Sequence, residues 1–181
     1  MNVTLGNIIT QPDWAVRYRW NLDFDRYPEA VGSPNGIDIL NQRCESSELP
    51  KSSGKTFSVT IRGLEDNANP GGWSTAGKIK LTFVETVDGL ILDWIENWRE
   101  KIWATGIGSG SPKSQLLAAI SLYRLDRSDI PNRLYRMPVV LLGNYDNGGD
   151  LDENQDGAPA KPWIELVYPS FNEFNLFSGV T

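Results

Sequence analysis

The segment Asp146 to Gly157 reads DNGGDLDENQDG, with five acidic residues, three glycines and no basic residue. Carboxylates this dense have two obvious chemistries: holding a hard cation, or working in pairs to cleave glycosidic bonds. An EF-hand loop needs oxygen ligands at positions 1, 3 and 5, a glycine at 6 and a bidentate glutamate at 12. Asp152, Asn154, Asp156 and Gly157 meet the first four requirements. Position 12 falls on Trp163, position 8 on Pro159, and Glu165 arrives two residues late. The ligand that closes the coordination sphere is therefore missing, and no metal or other cofactor is expected. Asp, Asn and Gly are also the ordinary residues of turns, so the simpler reading is a solvated acidic connection over about 143–161. A third reading is an acidic surface of Asp146, Asp150, Asp152, Glu153 and Asp156 facing a passing polyanion.

Other catalytic chemistry is scarce. The chain has no histidine, which removes Ser-His-Asp triads, Cys-His pairs and histidine zinc sites. Cys44 is the only cysteine, so no disulfide forms within the chain and a reducing compartment is expected. No spacing pairs two carboxylates in a cleft as a histidine-free hydrolase would require, and no enzyme is expected. Lys and Arg number 17 against 23 Asp and Glu, a net charge of −6, which provides no basic footprint for gripping phosphates. The opening MNVTLGNIITQPDW lacks the basic and apolar regions of a signal peptide, and no apolar run approaches the roughly 20 residues of a membrane helix. The expectation is a soluble chain with no membrane partner.

The elements that would position these residues are mostly strands. WAVRYRWNLDF places Trp14, Val16, Tyr18, Trp20, Leu22 and Phe24 on one face and polar residues on the other. FSVTIRG and KIKLTFVE repeat the alternation, and GIDILNQRCES reads as a weaker strand. LLAAISLYRLD is apolar on both faces until Arg124, as in a strand covered on both sides. RLYRMPVVLLG and PWIELVYPSFNEFNLF complete the set. One helix is expected over about 88–104, with Ile91, Trp94, Ile95, Trp98 and Ile102 as its apolar stripe, Asp88 as its cap and Gly106 as its end. The fold class is mainly β: two roughly orthogonal sheets forming a sandwich or barrel in a single domain over 1–181, with the helix packed over an open end or edge.

The 40% apolar content can build such a core unaided. Trp14, Trp20, Trp94 and Trp98 sit on apolar faces and read as core, which leaves Trp73, Trp103 and Trp163 for other work. A β-sandwich using these with the acidic loop for calcium-assisted carbohydrate binding is the alternative of another class. GLEDNANPGGWSTAG, between two good strands, reads as either a hairpin tip or a contact arm, and TGIGSGSP as a flexible connector.

In order, these pieces resemble the tail tube protein of contractile-tailed bacteriophages. The resemblance runs from Trp14 to Phe177 and rests on WAVRYRWNLDF, the strand ending RCESSELP, and the turn-rich arm between FSVTIRG and KIKLTFVET. It continues through the helix opening GLILDWIENW, then ISLYRLD, VVLLGNYD and the closing PSFNEF. It implies stacked hexameric rings that form a hollow inner tube within a virion tail, assembled in the host cytoplasm, through which DNA passes without tight binding. Its partners would be further copies of itself, the tail sheath, the tape measure and the baseplate initiator. It also implies a hairpin arm, Lys51 to Trp73 within about 50–75, that reaches the adjacent ring, and a subunit contact near Glu45 to Pro50. The interface candidates so implied are Cys44, Glu45, Leu49, Pro50, Phe57, Pro70 and Trp73. The related tube of a type VI secretion or tailocin-like particle is the nearest alternative. The longer connection from Asp146 to Lys161 departs from the family's usual short turn. A net negative chain repels phosphate, which suits a conduit for DNA better than a binder of it.

Overall fold

The computed structural model describes residues 19–34, 39–54, 57–61, 64–68, 72–108, 110–126, 128–148 and 159–176. In chain order the elements are β1 (Trp20–Arg26), a short helix α1 (Ile39–Arg43), β2 (Cys44–Ser47), β3 (Ser53–Gly54), β4 (Phe57–Ile61), β5 (Leu64–Ala68), β6 (Trp73–Ser74) and β7 (Gly77–Phe83). The long helix α2 (Leu90–Gly106), a 3-10 turn (Lys113–Leu116), β8 (Ala118–Leu125), β9 (Pro131–Asp146), β10 (Trp163–Tyr168) and β11 (Asn172–Asn175) follow.

Alternation drives the strands. In β1 Leu22 and Phe24 are buried opposite Leu122 and Ile120 of β8, and in β7 Ile79, Leu81 and Phe83 are buried. The main sheet runs β1-β8-β9-β10-β7-β2, with β11 also on β9. The 16-residue β9 serves as two strands: its first half pairs with β8 and β11, and its second half with β10. This divides the strands into two antiparallel layers, β1-β8-β9-β11 and β9-β10-β7-β2, as the mainly β expectation requires. Pro138 sits where the β8–β9 register shifts, a place where its missing N–H costs no ladder bond.

The helix closes the core. Ile91, Trp94, Ile95 and Trp98 are buried, with the indole N–H of Trp94 donated to Gly32 O at 2.8 Å and that of Trp98 to Leu116 O at 3.0 Å. Trp94 also meets Phe24 edge-on, at 5.9 Å between ring centroids, which ties the helix to the first layer. Both tryptophans are therefore core residues, as expected. β8, with Ala118 to Leu122 all buried, is covered on both faces as its sequence implied.

Two expectations are corrected. Residues 39–43 of GIDILNQRCES form α1 rather than strand, burying Ile39 and Leu40 side by side as no half-buried strand could. Within GLEDNANPGGWSTAG, Leu64–Ala68 forms β5, paired with β4. Asp88 does not cap α2: the N-cap is Gly89, in the left-handed region at φ 66°, and it supplies no side chain. Arg43, at 3.3 Å, and the Thr86 hydroxyl hold Asp88 aside and keep its carboxyl below the usual range, the Thr86 hydrogen bond being the larger cause. The buried Glu85 carboxylate does the capping, accepting Leu92 N–H at 2.8 Å and Thr86 N–H at 2.9 Å. The helix ends at Gly106 as expected. The connector beyond it is also tied down: the Thr105 hydroxyl lies 2.9 Å from Lys101 O and 2.7 Å from Ser111 O.

Candidate functional site

The segment from Lys51 to Gly77 stands apart from the main sheet. Among the described residues β3 pairs only with β6 and β4 only with β5, two short ribbons that share no ladder with the layers. Within the stretch expected to form an arm, the described strands nest, with β4–β5 lying inside β3–β6 in chain order. At its base Pro50 is buried while Leu49 is 52% exposed, and Trp73, on β6, is 66% exposed. Lys51 N–H is donated to the Tyr168 hydroxyl at 3.3 Å.

Beside this base lies β2. Cys44 is half-buried and burial pushes its thiol up to about 12, so it is a packing residue and a poor nucleophile. Glu45 is paired with Lys161 at 2.7 Å. Phe57 belongs to β4, and Pro70 lies outside the described residues. Glu45, Leu49 and Pro50 lie in or just after β2, and Trp73 lies opposite Gly54 in the β3–β6 ladder. The structure adds Tyr168, which sequence reasoning missed. Its position at the end of an alternating strand looks like any other core aromatic.

The layer β1-β8-β9-β11 has β1 at one edge and β11 at the other, and neither has a second strand partner among the described residues. The face away from the core carries a polar cluster across three strands. The Asp25 carboxylate accepts the Ser121 hydroxyl at 2.7 Å and Arg136 Nε–H at 3.2 Å. β11 is exposed throughout, and its Phe174 is 46% exposed. Between the layers a cleft of about 400 Å³ is lined by Trp20, Leu49, Leu122 and Tyr135, with Arg19 and Arg124 among its walls. It holds no pair of carboxylates.

Of the acidic candidates, Asp146 ends β9 and folds back on itself, accepting Gly148 N–H at 2.8 Å in an Asx turn. Asp150, Asp152, Glu153, Asn154 and Asp156 lie outside the described residues. Among the described residues no group of three metal-capable side chains occurs. The three unassigned tryptophans do not form a common platform. Trp103 lies on α2 and is 72% exposed, Trp73 is on the arm, and Trp163 is half-buried under Lys80 Nζ, 3.9 Å from its ring centre. No helix among the described residues is long and apolar enough to cross a membrane.

Neither a known family profile nor a curated protein matches the chain. Solved structures do match its fold. One is a chain of the sheath–tube complex of an extracellular contractile injection system, PVC, in its extended state; the two share 11% identity over 97% of this chain and 100% of that one, with a TM-score of 0.57. A second comes from the baseplate of the anti-feeding prophage, AFP, reconstructed with sixfold symmetry: 14% identity, 92% of this chain and 99% of that one, TM-score 0.57. A third is from the PVC sheath/tube terminator, with 11% identity over 92% and 99% of the two chains and a TM-score of 0.58. Over 92–97% of its length the chain thus has a fold found in contractile injection particles.

Proposed function

We propose that this chain is a structural subunit of the inner tube of a contractile particle, forming hexameric rings that stack into a hollow conduit, with no catalytic step. The observation that carries this reading is the layer β1-β8-β9-β11 with its two open edges. Each neighbouring pair in it is antiparallel, so β1 and β11 run in opposite directions. When identical copies are arranged around an axis, β11 of one meets β1 of the next antiparallel at every seam. The ladder then closes into a single barrel with no edge left over. An odd number of strands per copy would force a parallel seam. A monomer with edges so placed invites uncontrolled pairing, whereas a ring uses them up.

The sixfold AFP baseplate favours a hexamer and the PVC sheath–tube complex favours a sheath partner, with a tape measure and a baseplate initiator as further partners of the proposed tube. On this reading Cys44, Glu45, Leu49, Pro50, Phe57, Pro70 and Trp73 belong to subunit contacts. The excess of acidic residues disfavours phosphate binding, so DNA could pass without being held. The neighbours are described as injection systems, which favours an injection or tailocin-like particle as the second reading beside a phage tail.

Negative-stain electron microscopy of the purified chain, alone and seeded with purified baseplate, tests the proposal. Rings or tubes with a central hole are expected. A chain that stays monomeric even on seeds would overturn it.

A further inference from the structure

The arm leaves the body at Lys51 and returns at Gly77, and one buried side chain touches both points. Tyr168, the last residue of β10, is 1% exposed and lies directly opposite Gly77 in the β10–β7 ladder. Its hydroxyl accepts the Lys51 N–H at 3.3 Å. A methyl group at Gly77 would stand 2.7 Å from that hydroxyl and 3.1 Å from the ring carbon bearing it. The lack of a side chain at Gly77 is therefore what lets the phenol cross beneath both strands of the arm. Behind the ring, Phe171 packs edge-on at 6.1 Å, and Phe171 in turn meets Tyr135 of β9 at 6.4 Å. A row of three aromatic rings thus runs from the base of the arm into the first layer.

Beyond this base the described residues of the arm pair in two short ladders. β3 and β6 contribute two residue pairs, Ser53 with Ser74 and Gly54 with Trp73, and β4–β5 is a ladder of its own. Two-stranded ribbons are marginally stable in water, so the angle of the arm is decided where it joins the body.

We propose that Tyr168 is the positioning residue of the arm: its hydroxyl pins Lys51 while its ring fills the space that Gly77 leaves, so that the arm is already aimed before it meets another copy. This rests on reading the arm as a subunit contact. An element ordered in advance forfeits less freedom on binding, so the pin strengthens assembly without touching the partner.

The test uses the full chain with spin labels at Ser58, on β4, and Lys113, on the body. Cys44 is replaced by serine in all the proteins so that only the two introduced cysteines carry label. In the wild type the distance distribution from pulsed electron resonance should be a single narrow peak. In Tyr168→Phe it should at least double in width while the thermal midpoint stays near that of the wild type. Gly77→Ala, which displaces the hydroxyl without altering Tyr168, should broaden it likewise and keeps the test decisive if the first variant folds poorly. A broad wild-type distribution, or equal widths in all three proteins, would overturn the proposal. The threshold concentration for stacking of rings should rise about fivefold in Tyr168→Phe, the factor associated with one lost hydrogen bond. A variant with residues 53–74 replaced by a short glycine linker separates the two ideas. If it assembles normally, the arm is no contact; if it fails while Tyr168→Phe assembles like the wild type, the arm reading stands and the pin does not.

Discussion

The body and the arm are built on opposite principles. The body is built around a packed core: β8 is buried on both faces, α2 seats two tryptophans in the core, and Glu85 satisfies the start of the helix from within the fold. Among the described residues the strands of the arm pair only with one another, and Trp73 is left largely in solvent. Hydrophobic burial holds the first together, at roughly 1.5–3 kcal/mol for each large side chain removed from water. On the proposed reading the second is aimed by its junction, and the contacts between stacked rings lie on it, apart from the residues that stabilise the body.

Substitutions test that separation, starting with the largest effect. Trp98→Ala removes the largest fully buried side chain together with its hydrogen bond to Leu116. It should cost about 3–5 kcal/mol in urea unfolding of the monomer. A loss below 1 kcal/mol would mean that the helix is not part of the body. Glu85→Ala strips the cap from α2 and the contact to Arg43, which lies at 3.8 Å. A loss of about 1–2 kcal/mol is expected, visible as a lower thermal midpoint and reduced helical ellipticity.

Asp88→Asn probes the same corner through pH. The folded pKa of Asp88 is lowered by Thr86 and Arg43, so its contribution is present above the unfolded carboxylate value and fades as pH falls through the folded one. The wild type should therefore melt slightly above the variant at neutral pH, and the gap should close below about pH 4. A gap that widened in acid would contradict this assignment. Smallest of all, Trp73→Ala should leave monomer stability within about 0.5 kcal/mol, as for an exposed residue, while weakening ring stacking. A large drop in monomer stability would erase the contrast between arm and body.

Periodicity showed much of this in advance, and its failures share a cause. The alternation of Ile79, Leu81 and Phe83 and the stripe of Ile91, Trp94, Ile95 and Trp98 are long enough to identify a strand and a helix. Helix α1 has 5 residues, little more than one turn, too short for a helical period to show in the sequence. Asp88 looked like a cap because it stands in the right place, but Arg43, from a distant part of the chain, competes for it. The acidic run drew attention through composition alone, yet composition cannot tell a ligand set from a turn. Tyr168 carried no signal, because its role depends on Lys51 and Gly77, which only the fold brings to it.

The passage of β9 through both layers has a mechanical consequence. Sandwiches whose sheets are joined only by loops can slide one sheet across the other by bending a few backbone angles. Here a single strand is woven into both, through β8 and β11 on one side and β10 on the other. Sliding would have to tear ladder hydrogen bonds along its length. A subunit built this way carries shear as a beam does, and a stack of such subunits could be driven forward from one end without losing its bore.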